Sequence, residues 1–239
     1  STKIINYSKG DYMNLKDITI LTVSFNNNLL TGMMLKSFSK QVGELPEVVI
    51  IDNGNKIPVD DSLKFCFNVV DNFNHKLLSD ELQPSRNHSK SIDFALKNLI
   101  KTEWCLLVDN DILFKPEIKT FLETLDSSKF DCCGKIGWDV TPPDRLFPYF
   151  CLINVNKFRK EHLNYFDRNR TIAYDMPGHK NAKKENHFDT GYSFYEDIKS
   201  SWIIKKIEIN DFISHCHSGS FKSSGNKYIK WLSDNKNLI

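Results

Sequence analysis

The sequence predicts an α/β fold: a single domain on a Rossmann-like, mostly parallel mixed sheet flanked by helices. Three observations predict it. Apolar runs of strand length alternate with amphipathic stretches through the first half of the chain. Those runs are apolar throughout, as in parallel strands covered on both faces. Polar residues punctuate their carboxyl ends, where open α/β sheets bind ligands.

The elements follow in order. "DITILTVSF" (17–25) is a nearly continuous apolar and β-branched run, hence the first strand. "NLLTGMMLKSFSKQ" (28–41) sets Leu29, Met33, Leu35 and Phe38 at roughly helical spacing. "EVVIIDN" (47–53) is a second buried strand ending in Asp52 and Asn53, and "FCFNVVD" (65–71) a third. "SRNHSKSIDFALKNLI" (85–100) is a helix striped by Ile92, Ala95, Leu96 and Leu99, and it leads into the strand of "WCLLVDND". Beyond this the pattern is less regular. "FDCCGKIG" and 146–158 read as strands around the loop "WDVTPPDR", and residues 167–187 as a polar surface loop. A helix is expected within 188–202, and short strands in "IIKKIEI" and "DFISHCH".

Composition sets bounds. A chain of 239 residues with 40% hydrophobic and 12% aromatic content has ample material for one packed core. A formal charge of +2 from balanced acids and bases gives no reason to expect nucleic acid as the partner. No apolar run approaches the ~20 residues of a membrane span, and the N-terminus has no secretory core. The six cysteines lack framework or CxxC spacing and sit mostly in apolar runs, so reduced core thiols are expected. From these the expected location is inside the cell, in the cytoplasm or at the cytoplasmic face of a membrane.

"WCLLVDNDILF" (104–114) poses the functional question, since two carboxylates follow a buried strand before the chain turns apolar again. Acids at i and i+2 there can present oxygens to one divalent cation, and hard oxygen ligands suit Mg²⁺ or Mn²⁺ held jointly with substrate phosphates. Asp-Asn-Asp is also ordinary turn chemistry, and any single Asp at a strand end also reads as a cap. Ser24, Asp52 with Asn53, and Asp109 with Asp111 stand at three such ends, and together they favour a site.

Four segments in order, "ITILTVSFNN", "VVIIDNGN", "SRNHSKSIDFAL" and "LLVDNDILFKPE", resemble the A-type-fold glycosyltransferases. The resemblance is greatest to the family-2-like inverting group that uses nucleotide-sugars. It spans about 17–220, implying a donor half of about 17–114 and an acceptor half of about 115–220. Residues 1–16 are then an N-terminal extension and 221–239 a C-terminal tail. The resemblance implies that Thr22, Val23, Ser24 and Phe25 line the base and ribose pocket. It implies that Asp52, with Asn53 beside it, bonds base or ribose, and that Arg86 reaches the diphosphate or ribose. Asp109 and Asn110 would meet the ribose or sugar, and Asp111 would be the principal metal ligand, with Asp109 as its partner. Arg86 also reads as a plain surface charge at a helix start.

"HFDTGYSF" is similar to the group's acceptor segment, which places Asp189 as the catalytic base. Asp189 reads equally as an N-cap, and Glu196 with Asp197 forms a rival acidic pair. "HCHSGS" is similar to the loop that supplies a metal ligand in this group. His215 and His217 share one face of a strand, so either could reach an ion, and His215 fits the spacing to Ser220 better. Zinc is disfavoured because no Cys or His at partner spacing completes a site.

The implied activity is inverting transfer from a UDP-, GDP- or dTDP-sugar to a glycan or other hydroxyl acceptor, with Mn²⁺ or Mg²⁺. Two alternatives stand beside it. One is a non-catalytic nucleotide-sugar or glycan-binding module. The other is a sugar-1-phosphate nucleotidyltransferase, disfavoured because "SFNNNLL" lacks a Gly-rich loop and a basic residue. Trp138 reads either as a sugar-stacking residue or as core.

Overall fold

The computed structural model describes residues 12–25, 28–53, 67–71, 84–137, 144–167, 190–216 and 225–239. Asp189, His217, Trp138, Cys66 and the loop expected over 167–187, save its first residue, lie outside the described residues. The first half realises the alternation as β1 (Ile18–Ser24), α1 (Asn28–Val42), β2 (Glu47–Asp52), β3 (Phe67–Asp71), α2 (Pro84–Asn98) and β4 (Trp104–Val108). The second half adds β5 (Ile112–Phe114), α3 (Glu117–Thr124), β6 (Cys132–Gly137), β7 (Arg145–Asn154) and α4 (Val155–Lys160). It then continues through α5 (Tyr192–Ile198), β8 (Ile204–Lys206), β9 (Ile213–His215) and α6 (Gly225–Asp234).

The main sheet runs β3-β2-β1-β4-β7-β6-β8, and β5 with β9 forms a separate two-stranded ribbon. In the main sheet β7 lies antiparallel to both β4 and β6, whereas the other pairings are parallel. β1 has β2 on one side and β4 on the other, so the connections leave β1 in opposite directions. That is a topological switch point, and in open α/β sheets ligands bind beyond the carboxyl ends of the strands there, here those of β1 and β4.

Each face of the sheet has its own core. Met34, Phe38, Phe114, Phe150 and Leu152 pack on one face, and Ile92, Leu96, Leu107, Ile153 and Phe194 on the other. Phe38 and Phe114 meet edge to face, ring centroids 4.9 Å apart. Full burial of such side chains stabilises by roughly 1.5–3 kcal/mol each.

Three local readings are corrected. In α1 the buried stripe is Leu30, Met34, Leu35, Phe38 and Val42, and Leu29 is 62% exposed. The i, i+4, i+8 row therefore begins one residue later than expected, which turns Leu29 about 100° toward solvent. The strand expected over 146–158 stops at Asn154, because its side chain accepts a hydrogen bond from Lys157 N at 2.9 Å and caps α4. The strand expected in "IIKKIEI" shrinks to three residues at the sheet edge.

β7 is also irregular. Its register with β6 jumps from Gly134–Cys151 to Ile136–Leu146, so Phe147, Pro148, Tyr149 and Phe150 face the single Lys135. Proline lacks the ladder donor and is tolerated at such a bulge. The bulge re-aims the first half of β7, which runs past the end of β4 at Val108.

The C-terminal helix braces this end of the molecule. Trp231 Nε1 donates to Ser214 Oγ at 2.9 Å in β9, and Tyr228 OH meets Met33 Sδ at 3.8 Å on α1. Lys40 Nζ adds a bond to the carbonyl of Asn237 at 2.9 Å. All five described cysteines are buried free thiols.

Candidate functional site

The site begins with the turn after β4. Asn110 is buried at the switch point, and its amide lies 3.5 Å from Ser24 Oγ and 3.4 Å from Thr31 Oγ1. Thr31 in turn donates to Ser24 at 3.3 Å. This polar triangle ties the turn to the end of β1 and the start of α1, with Asp109 and Asp111 on either side of Asn110. Asn110, expected to touch ligand, is 6% exposed and holds the turn in place.

The apolar run after the acids then has a purpose. Ile112, Leu113 and Phe114 are β5, whose pairing with β9 sets His215 opposite Ile112. Asp111 O accepts a bond from Cys216 N at 2.9 Å, and His215 Nε2 lies 3.1 Å from Asp111 Oδ1. The Tyr149 ring, re-aimed by the bulge in β7, packs 4.4 Å from the imidazole centroid. Asp111 and His215 are thus held from three elements.

Asp109, Asp111 and His215 each offer a ligand atom, all within 4.8 Å of one another, the only such group among the described residues. Atoms bonded to one ion at about 2.1 Å lie at most about 4.2 Å apart. The cluster therefore closes on a divalent cation with shifts of about half an ångström. Two carboxylates and one imidazole, with no thiolate, suit Mn²⁺ or Mg²⁺.

Charge around Asp109 is finely opposed. Close packing raises its carboxyl above the ordinary range although 27% of the side chain is exposed, and the neighbouring Asp111 pushes the same way. His88, His215 and Arg145 pull it down. His88 Nε2 on α2 stands 3.7 Å from Asp109 Oδ1. Arg145, at the start of β7, donates to the carbonyl of Thr190 at 3.0 Å. It thereby links the acidic turn to the segment entering α5.

The other expected residues fall around this centre. Ser24 pairs in register with Asp52 across β1 and β2. Thr22 and Asp52 are almost wholly buried, Val23 and Asn53 are partly exposed, and Phe25 is 67% exposed. Asn53 is fixed by Ser91 of α2 at 3.0 Å, and Arg86 lies partly buried in the first turn of that helix. Asp197 is partly exposed on α5, while Glu196 is paired with Lys199 at 2.8 Å. His88 was missed by sequence reasoning, and Arg145 and Tyr149 were not singled out within "GKIGWDVTPPDRLFPYF", a segment the sequence suggests for the acceptor side. The available signals were a His two residues past Arg86 and a Pro within the apolar run "LFPYF".

No family model matches the chain, and no curated protein matches it. Among solved structures, the apo form of the glycosyltransferase GlyE of Streptococcus pneumoniae TIGR4 superposes with a TM-score of 0.50 and 14% identity, over 80% of this chain and 45% of that one. The mannosyltransferase PcManGT of Pyrobaculum calidifontis, in complex with GDP-Man and Mn²⁺, gives 0.49 and 10% identity, over 84% and 58%. Residues 1–349 of TarS of S. aureus give 0.43 and 16%, over 62% and 50%. The chain spans about half the length of these structures. Sheet order and superposition on GlyE agree that this chain has the A-type glycosyltransferase fold.

Proposed function

We propose that the protein transfers a sugar from a nucleoside-diphosphate donor to an acceptor hydroxyl, with Asp109, Asp111 and His215 holding Mn²⁺ or Mg²⁺. The observation that carries this reading is the position of the cluster. Two carboxylates and an imidazole converge at the switch point of an A-type sheet, beside Ser24 at the end of β1. Such a cation supplies positive charge to a departing diphosphate.

The chain's own groups have separable roles. Phe25, exposed at the end of β1, offers a face for the base, and Asp52 and Asn53 stand on the adjacent strand end for the ribose. Arg86 and His88, on the first turns of α2, line the donor side. Arg145 offsets the acidic turn and holds Thr190, the residue after Asp189 in sequence. By the resemblance of "HFDTGYSF", Asp189 is the candidate general base, deprotonating the acceptor oxygen for in-line attack and inversion at the anomeric carbon. Asp197 is the alternative base, and Glu196 is engaged by Lys199.

The test is turnover of a UDP-, GDP- and dTDP-sugar panel with Mn²⁺ or Mg²⁺, read as nucleotide release. At least one donor is expected to turn over, and absence of release from every donor contradicts the proposal. With that donor, Asp189→Asn lowers transfer about 10²-fold or more while donor affinity holds. Near-normal transfer by Asp189→Asn, with Asp197→Asn inactive, moves the base to Asp197.

A further inference from the structure

Arg145 and Lys135 both lie over the ring of Phe147, with Arg145 Cζ 4.6 Å and Lys135 Nζ 5.3 Å from its centroid. Their electrostatic situations differ. Arg145 answers the Asp109 carboxylate and bonds the Thr190 carbonyl. Lys135 is only partly exposed, yet among the described residues no carboxylate lies within ion-pair distance and no oxygen accepts its protons. Fully buried lysines are ordinarily paired, whereas Lys135 is half-buried and rests its ammonium over the Phe147 ring. This one stands opposite the bulge of β7, where the register jump opens the ladder around it.

Position separates it from the donor. β6 is two strands beyond β4 in the sheet, roughly 10 Å at ordinary strand spacing. A diphosphate on the Asp109–Asp111–His215 cluster would be served by nearer groups, and Arg145 bridges the gap between the two regions. We propose that Lys135, with Arg145 behind it, forms an anion subsite on the far side of β7. It takes an oxyanion, phosphate or carboxylate, carried by a sugar or polyol bearing the accepting hydroxyl. The role as an acceptor subsite rests on the transferase reading; the anion site itself does not. Phe147 holds both cations in place and leaves the ammonium free to donate three hydrogen bonds.

Calorimetric titration at low salt tests this with glucose 6-phosphate, glucuronate and neutral glucose, against wild type, Lys135→Met and Lys135→Arg. Lys135→Met keeps the apolar stem over Phe147 and removes only the charge, and an unchanged melting temperature shows that the fold is intact. At least one anionic sugar binds wild type while glucose does not. Lys135→Met weakens that binding about tenfold or more, as loss of a charged hydrogen-bond partner should, and Lys135→Arg retains it. Saturating UDP or GDP with Mn²⁺ leaves it in place. The proposal is overturned if neither anion binds, if Lys135→Met binds as wild type does, or if nucleotide displaces the sugar. Failure of the donor reading would appear separately, as no binding of UDP or GDP with Mn²⁺, and the sugar titration would remain interpretable.

Discussion

At the scale of residues, Asp109 shows how the site sets function against stability. Its folded carboxyl is raised, chiefly by burial and further by Asp111, so folding disfavours the ionised form relative to the unfolded chain. The sign follows from linkage: stability from this group is present at pH below the ordinary carboxylate value and is lost as pH rises through the raised one. Asp109→Asn should therefore melt higher than wild type at neutral pH in chelator. The gain is on the order of 2–4 °C for each kcal/mol relieved, and it should vanish near pH 3.5. A scanning-calorimetry series across pH 3.5–7.5 checks this, and a variant that melts lower at neutral pH contradicts it. Asp109, Asp111 and His215 could be named from the sequence because local signals mark them, a strand end followed by acids and a late His-x-His. His88 and Arg145 could not, because their nearness to Asp109 arises only when α2 and β7 pack around the end of β4.

At the scale of elements, the strands and helices of the first half were legible because burial on both sheet faces leaves continuous apolar runs. The bulge in β7 was not, since it is a property of pairing with β6 rather than of either strand. α4 was hidden because its cap, Asn154, sits within an apolar stretch that reads as continuing strand. The entry to α5 makes its own demand. Gly191 has φ +89°, and a Cβ there would stand 2.0 Å from the carbonyl oxygen of Leu146. Gly191→Ala must strain the backbone and push α5 off β7, so a loss of about 2 kcal/mol or more is expected in urea unfolding. Because Thr190 is tied to Arg145, the same variant should also lose the proposed transfer activity, measured below its melting temperature. Wild-type stability in Gly191→Ala contradicts the packing described for this junction.

At the scale of the molecule, the sheet order is what turns scattered polar residues into a site. β1 between β2 and β4 gathers Ser24, Asp52 and Asp109 at one edge, and the β5–β9 ribbon returns the chain so that His215 meets Asp111. The sequence announced the strand ends, but the ribbon joins residues more than a hundred positions apart and has no local signature. α6 lies against both α1 and β9 and so braces the strand that carries His215. In the proposed function this convergence binds a nucleoside diphosphate through a divalent cation. The most direct measurement is calorimetric titration of UDP and GDP, with Mn²⁺ and with chelator, on wild type and Asp111→Ala. At least one nucleotide should bind wild type only with Mn²⁺ and fail to bind Asp111→Ala. Equal affinity with chelator, or in Asp111→Ala, would contradict it.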